Sequence, residues 1–160
     1  MYGNQTLPGV SVSETYRVTN GSIWQGYPEA TFFKTVKVNG TDGSDIAVGT
    51  IMKELTADGS YTPITASDII TAVADLPGAR LAVVADKTAK TGTTVTTGEG
   101  AEAVTEETPS IVLVGTSGTV NKDMLLVGDT KFTELTDEQQ ICLNTQLEAW
   151  HFNLVNVVQA

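Results

Sequence analysis

Short apolar, β-prone runs separated by polar, glycine-rich turns recur along the chain, so strands are expected to dominate. "FFKTVKVNGTDGSDIAVGTIMKEL", beginning at Phe32, predicts two strands around a turn rich in glycine and aspartate. Val36 and Val38 share one face, and Ile46 and Val48 continue the pattern beyond the turn. "RLAVVADKT", from Arg80, is a continuous apolar run of the kind that fills a sandwich core or a parallel sheet. "PSIVLVGTSGTVNKDMLLVGD" spans 109–129; its first apolar run breaks at Gly115, turns through Thr-Ser-Gly and resumes, which predicts a hairpin. "ASDIITAVADLPGA" predicts a short helix over 67–75, stopped by Pro77-Gly78. "KTGTTVTTGEGAEAVTEETPS" reads as a long polar loop.

Near the C-terminus the pattern changes. Thr136 with Gln139 three residues on forms a capping-box pattern. Leu143, Leu147, Trp150 and Leu154 then follow as one stripe of an amphipathic helix. Asn153 is placed to end that helix, with "LVNVVQ" as a terminal strand. The expected fold is mainly β with a C-terminal helix (α+β), carrying an extended N-terminal arm.

That arm is marked by its aromatics. Tyr2, Tyr16, Trp24, Tyr27, Phe32 and Phe33 all fall within the first 33 residues, and no aromatic occurs from 62 to 131. Asn20-Gly21 sits between two short β-prone runs, a hairpin signal because both central residues of a type I′ turn need positive φ. Pro8-Gly9 marks an extended or turning lead segment. The division expected is an arm with hairpin over 1–36 and a β-rich body over 37–160. Two fates are open to the arm's large side chains: packing back on the body, or anchoring on another protein, where aromatics are enriched.

Composition narrows the partners. The 160 residues carry nineteen acids and nine bases, a net charge of −10. Nucleic acid and anionic membrane are therefore not expected partners, since both reward positive charge. No apolar run approaches the ~18 residues of a membrane span. The start lacks the basic and apolar regions of a signal peptide, so synthesis in a reducing cytoplasm is expected. One cysteine, Cys142, permits no intrachain disulfide.

Catalytic patterns are sparse. Gly115-Thr-Ser117-Gly118 places its second glycine one position early for a nucleophile elbow, and no Lys-Ser or Lys-Thr follows as a phosphate loop requires. Cys142 and the single histidine, His151, are nine residues apart; at ~100° per residue they point to opposite sides of a helix. Asp42-Gly-Ser-Asp45 lacks the alternating ligands and distal glutamate of a calcium loop and reads as a turn. Glu99, Glu102, Glu106 and Glu107 read as a solvated face. No enzymatic activity, cofactor or metal is expected.

Taken in order, "DGSDIAVGTIMKE", "RLAVVADKTAKTGTTV", "SIVLVGTSGTVNKDMLLVGD", "TDEQQICLNTQLEAWHF" and "NLVNVV" resemble the lambda-type head decoration proteins of tailed phages, from about Lys37 onward. The resemblance implies a homotrimer on the outer capsid surface of the virion, bound to the major capsid protein and stabilising the head. It also implies an N-terminal arm that adds a strand to the capsid, a known mode of sheet-edge recognition. The arm here is longer and more aromatic than the simplest arms, which brings in a phage head-fibre protein and contacts with other head-fibre or auxiliary capsid proteins. Tyr16, Trp24, Tyr27, Phe32 and Phe33 are the expected capsid-contact residues. The alternative is a β module of a phage particle that binds carbohydrate or a host surface.

Overall fold

A computed structural model describes residues 23–25 and 31–156. The expected Asn20-Gly21 hairpin, Tyr16 and Tyr27 lie outside the described residues. The described chain is mainly β with one long helix near its end, an α+β arrangement. In order come β1 (Trp24–Gln25), β2 (Phe32–Val38), β3 (Ile51–Glu54), β4 (Tyr61–Pro63), β5 (Leu81–Val84), β6 (Thr93–Thr97) and β7 (Val104–Thr108). They are followed by β8 (Ser110–Asn121), β9 (Leu126–Val127), β10 (Thr130–Lys131), α1 (Asp137–Ala149) and β11 (Phe152–Val155).

The spine of the fold is β8. It is one twelve-residue strand, where the sequence predicts a hairpin. Gly115 and Gly118 look like turn residues, but they make room for neighbours instead. A Cβ on Gly115 would meet the Trp24 ring, and Gly118, with φ of 138°, passes against Thr31. The chain turns only later, at a 3-10 turn over Lys122–Met124, where Asn121 Oδ1 accepts from the backbone N–H of Asp123.

Four strands close on β8 to make a five-stranded ring. The first half of β8 runs antiparallel to β2, from Val38↔Ser110 to Phe32↔Ser117, with a bulge between Phe32 and Phe33. β2 pairs with β4 in parallel, β4 with β3 and β3 with β5 antiparallel. β5 returns to β8 through Val83↔Gly115 and Val84↔Val114. Closure leaves these strands without the open edges that invite aggregation.

Two apolar clusters follow from strand alternation. Val36, Val38, Met52, Tyr61, Val84 and Val112 belong to one, drawn from all five ring strands. Ile51, Leu81, Val83, Leu143 and Leu147 belong to the other, where α1 packs on the outside of the ring. β5 feeds both, Leu81 and Val83 to the helix side and Ala82 and Val84 to the other. That double burial is why "LAVV" is apolar at every position. Ile46 joins the cluster of Val36 and Val38, whereas Val48 packs with the helix side.

Three local expectations are revised. The segment expected as a helix over 67–75 forms two 3-10 turns, Ala66–Asp68 and Val73–Asp75. The Asp68 carboxylate accepts from the Thr65 backbone N–H at 2.7 Å, a side-chain bond that competes with continued helix. β-Branched Ile69, Ile70, Thr71 and Val73 add stiffness against it. The expected polar loop is an antiparallel ribbon, β6 on β7, from Thr93↔Thr108 to Thr97↔Val104. Its threonines and valines suit strands, although the run lacks the aliphatic density that signals one.

The capping box forms as expected: Gln139 N–H donates to Thr136 Oγ1, and Thr136 N–H donates to Gln139 Oε1. The helix, however, stops at Ala149, and His151 takes a φ of 68°. Leu154 therefore lies on β11, which begins at Phe152, rather than on the helix stripe.

Candidate interaction surface

The arm's aromatics take different roles where they are described. Trp24 is 3% exposed and packs in the same cluster as the helix leucines. β1 pairs it with Val120 of β8, and its ring meets Phe33 edge to face, with centroids 5.2 Å apart. Trp24 thus takes the first of the two fates and folds onto its own body. Its Nε1, like Thr31 Oγ1, is buried without a hydrogen-bond partner among the described residues.

Phe32 is 65% exposed and Phe33 40%. The bulge between them changes the register at the end of β2, so the two rings do not follow simple strand alternation. The expected arm boundary at 36/37 falls inside β2. β1 stands at the end of the sheet order, so its outer edge is unpaired among the described residues.

An apolar face missed in the sequence continues from Phe33. Along β8, Val112 and Val114 point to the ring cluster while Ile111 and Leu113 are exposed. The register places Thr35 opposite Leu113 and Lys37 opposite Ile111. The signal was present in "IVLV", but four apolar positions in a row do not show which face is covered. Here only one face is covered.

Polar contacts elsewhere are mainly structural. Asp42 Oδ2 accepts from Ser44 Oγ at 2.6 Å, and Oδ1 accepts from Thr91 Oγ1 and the Ser44 backbone N–H. The Ser44 hydroxyl, followed by that of Thr91, holds the Asp42 carboxyl at about 2. This turn ties the 42–45 loop to the ribbon base through Asp42↔Thr93 and Asp45↔Lys90 bridges, with a Lys90–Asp45 ion pair of 3.0 Å. Lys53 bonds Asp68; burial pushes the Asp68 carboxyl up, but Lys53 and Thr65 together hold it below its ordinary value.

The candidate reactive groups are dispersed. Cys142 is half-buried beside the helix-side cluster, while the His151 side chain is exposed. Ser117 lies mid-strand on β8. The structure does bring His151 close to it in the backbone, because Gly118 N–H donates to the His151 carbonyl at 3.3 Å. No hydrogen bond joins the Ser117 and His151 side chains. Among the described residues, no three potential metal ligands converge. A groove of about 660 Å³ is lined by Ile46, Pro63, Leu126, Lys87, Lys90 and Asp129 among others, without an aromatic ring.

The chain matches no family model, no curated protein and no solved structure.

Proposed function

We propose that this chain is a structural protein of a tailed-phage head, binding the outside of the capsid as a trimer and stabilising it. The observation that carries the reading is the exposed Phe32–Phe33 pair, standing where the N-terminal segment enters the body. Beside it the two-residue strand β1 keeps an unpaired outer edge among the described residues. A sheet edge without a partner among the described residues, next to two exposed aromatics, is suited to pairing its backbone with a neighbouring protein's sheet. The sequence order that resembles lambda-type decoration proteins suggests the same reading, although the Gly115–Gly118 turn that formed part of it is continuous strand in β8. Phe32 and Phe33, with Tyr16 and Tyr27, make the capsid contacts, and Trp24 holds the root of the arm from inside. Three arms on one trimer turn a modest contact into strong attachment through effective concentration.

The major capsid protein is the principal partner, with head-fibre or auxiliary capsid proteins as further neighbours, and the outer surface of the virion is the location. The alternative, a module binding carbohydrate or a host surface, would have to use a site such as the 660 Å³ groove, which lacks an aromatic platform for a sugar ring. Cosedimentation of the purified chain with capsids lacking it tests the proposal, and a glycan screen tests the alternative. Saturable capsid binding that is lost in the double variant Phe32→Ser/Phe33→Ser supports the first reading. Glycan binding without capsid binding supports the second.

A further inference from the structure

The β6–β7 ribbon has no support of its own. All ten of its strand residues are exposed, and a two-stranded hairpin alone is marginal in water. Its register sets Val95 opposite Glu106 and Thr97 opposite Val104, so these four share one face. Val95 and Val104 are 56% and 59% exposed on it, with Glu106 as its one charge. The other face holds Thr94, Thr96, Thr105 and Glu107, with Thr96 and Thr105 joined by their hydroxyls. The ribbon's base is pinned, because Thr94 Oγ1 donates to the Thr41 carbonyl and Gly92 N–H to the Gly40 carbonyl. It projects in a defined direction with an unmatched apolar face.

The β2–β8 face has complementary chemistry. Phe33, Leu113 and Ile111 form its apolar strip, Ile111 being 69% exposed, and Lys37 is its one charge. Among the described residues Lys37 reaches Asp58 alone, at 4.0 Å with both groups half exposed, so its ammonium is available to another carboxylate. Both surfaces are two strands wide. One offers two valines and an anion, the other Leu113 and Ile111 and a cation.

From this match we infer that the occupant of the β2–β8 face is a second copy of this chain, which lays the Val95–Val104 face of its ribbon across Leu113 and Ile111, with Glu106 paired to Lys37 and Phe33 left outside the contact. The contact joins two different surfaces of the same molecule. It is therefore heterologous, and copies joined this way build a ring when the rotation closes. The inference concerns the chain alone and stands whether or not a capsid is its target.

The test is the solution mass of the full chain and its variants by light scattering. The wild type is expected to be oligomeric. Val104→Asp on the ribbon and Leu113→Asp on the face each place a charge at an exposed position. Each should raise the dissociation constant by about 30-fold or more, the effect of losing one hot-spot residue. Unchanged circular dichroism keeps loss of assembly separate from loss of fold. Mixing the two variants gives the decisive readout, because each retains the surface the other lacks: one intact junction should form, yielding a dimer and nothing larger. Glu106→Lys and Lys37→Glu should each weaken assembly, and the double exchange should restore it. A monomeric wild type, oligomers that survive both aspartate variants, or a mixture that stays monomeric would overturn the inference.

Discussion

The Trp24 ring lies so close over Gly115 that a Cβ on the glycine would come within 2.0 Å of the indole Cη2. The contact fastens the root of the N-terminal segment to the middle of β8, the strand that pairs with β2, β5, β1 and β11. Gly115→Ala must push the indole out of its seat. A loss of about 1–3 kcal/mol is expected, as for other overpacked cores, read as a lower denaturant midpoint at unchanged slope. Trp24→Ala should cost more, about 3–5 kcal/mol.

The same contact sets where the arm can be cut. Removing residues 1–20 leaves Ile23 and Trp24 in the core, so stability should stay within about 0.5 kcal/mol while capsid binding is lost. Removing residues 1–33 also takes away Trp24 and should cost about 3–5 kcal/mol. Thermal melts of the two truncations side by side check the difference. Capsid binding that survives the shorter truncation would remove the arm from the attachment.

Acid should loosen the ribbon base before the ring. The Asp42 carboxyl is held at about 2, below its ordinary 3.8, by Ser44 and Thr91. A depressed carboxyl stabilises the fold above its unfolded value, and that contribution is lost as pH falls through the folded one. Protection of the Ser44 amide, taken as exchange relative to its intrinsic rate at each pH, should therefore fall between about pH 4 and pH 2. In Asp42→Asn exchange should be faster at neutral pH, and the acid step should be smaller.

Lys53 and Asp68 tie β3 to the first 3-10 turn, and both are more than two-thirds shielded from solvent. Asp68 also accepts from the Thr65 backbone N–H and hydroxyl, so Asp68→Ala removes all three bonds at once. The expected loss is about 1–2 kcal/mol, with the larger share falling on the charged bond. Chemical denaturation at pH 7 measures it.

Much of the fold was legible where a residue's local signal agreed with its tertiary role. The Thr136–Gln139 capping box, the buried Leu143 and Leu147, and the doubly buried Leu81–Val84 strand all read correctly. Misreadings arose where the reason for a residue lay across the sheet. Gly115 is small because of a tryptophan some ninety positions earlier, and nothing beside it in sequence distinguishes that from a turn. The ribbon was hidden because its strands bury nothing, so no hydrophobic period marks them. For the surface, the aromatic cluster drew notice to Phe32 and Phe33. It did not separate them from Trp24, whose burial depends on the opposing glycine.

The proposed head role is tested most directly by stoichiometric binding of the full chain to purified capsids of its proposed tailed-phage source, followed by image reconstruction of the decorated heads. Saturation at copies in multiples of three per symmetric site is the predicted result, with density on the outer surface and the Phe32–Phe33 side facing the shell. No binding to those capsids, or density confined to the interior or to the tail, would contradict it.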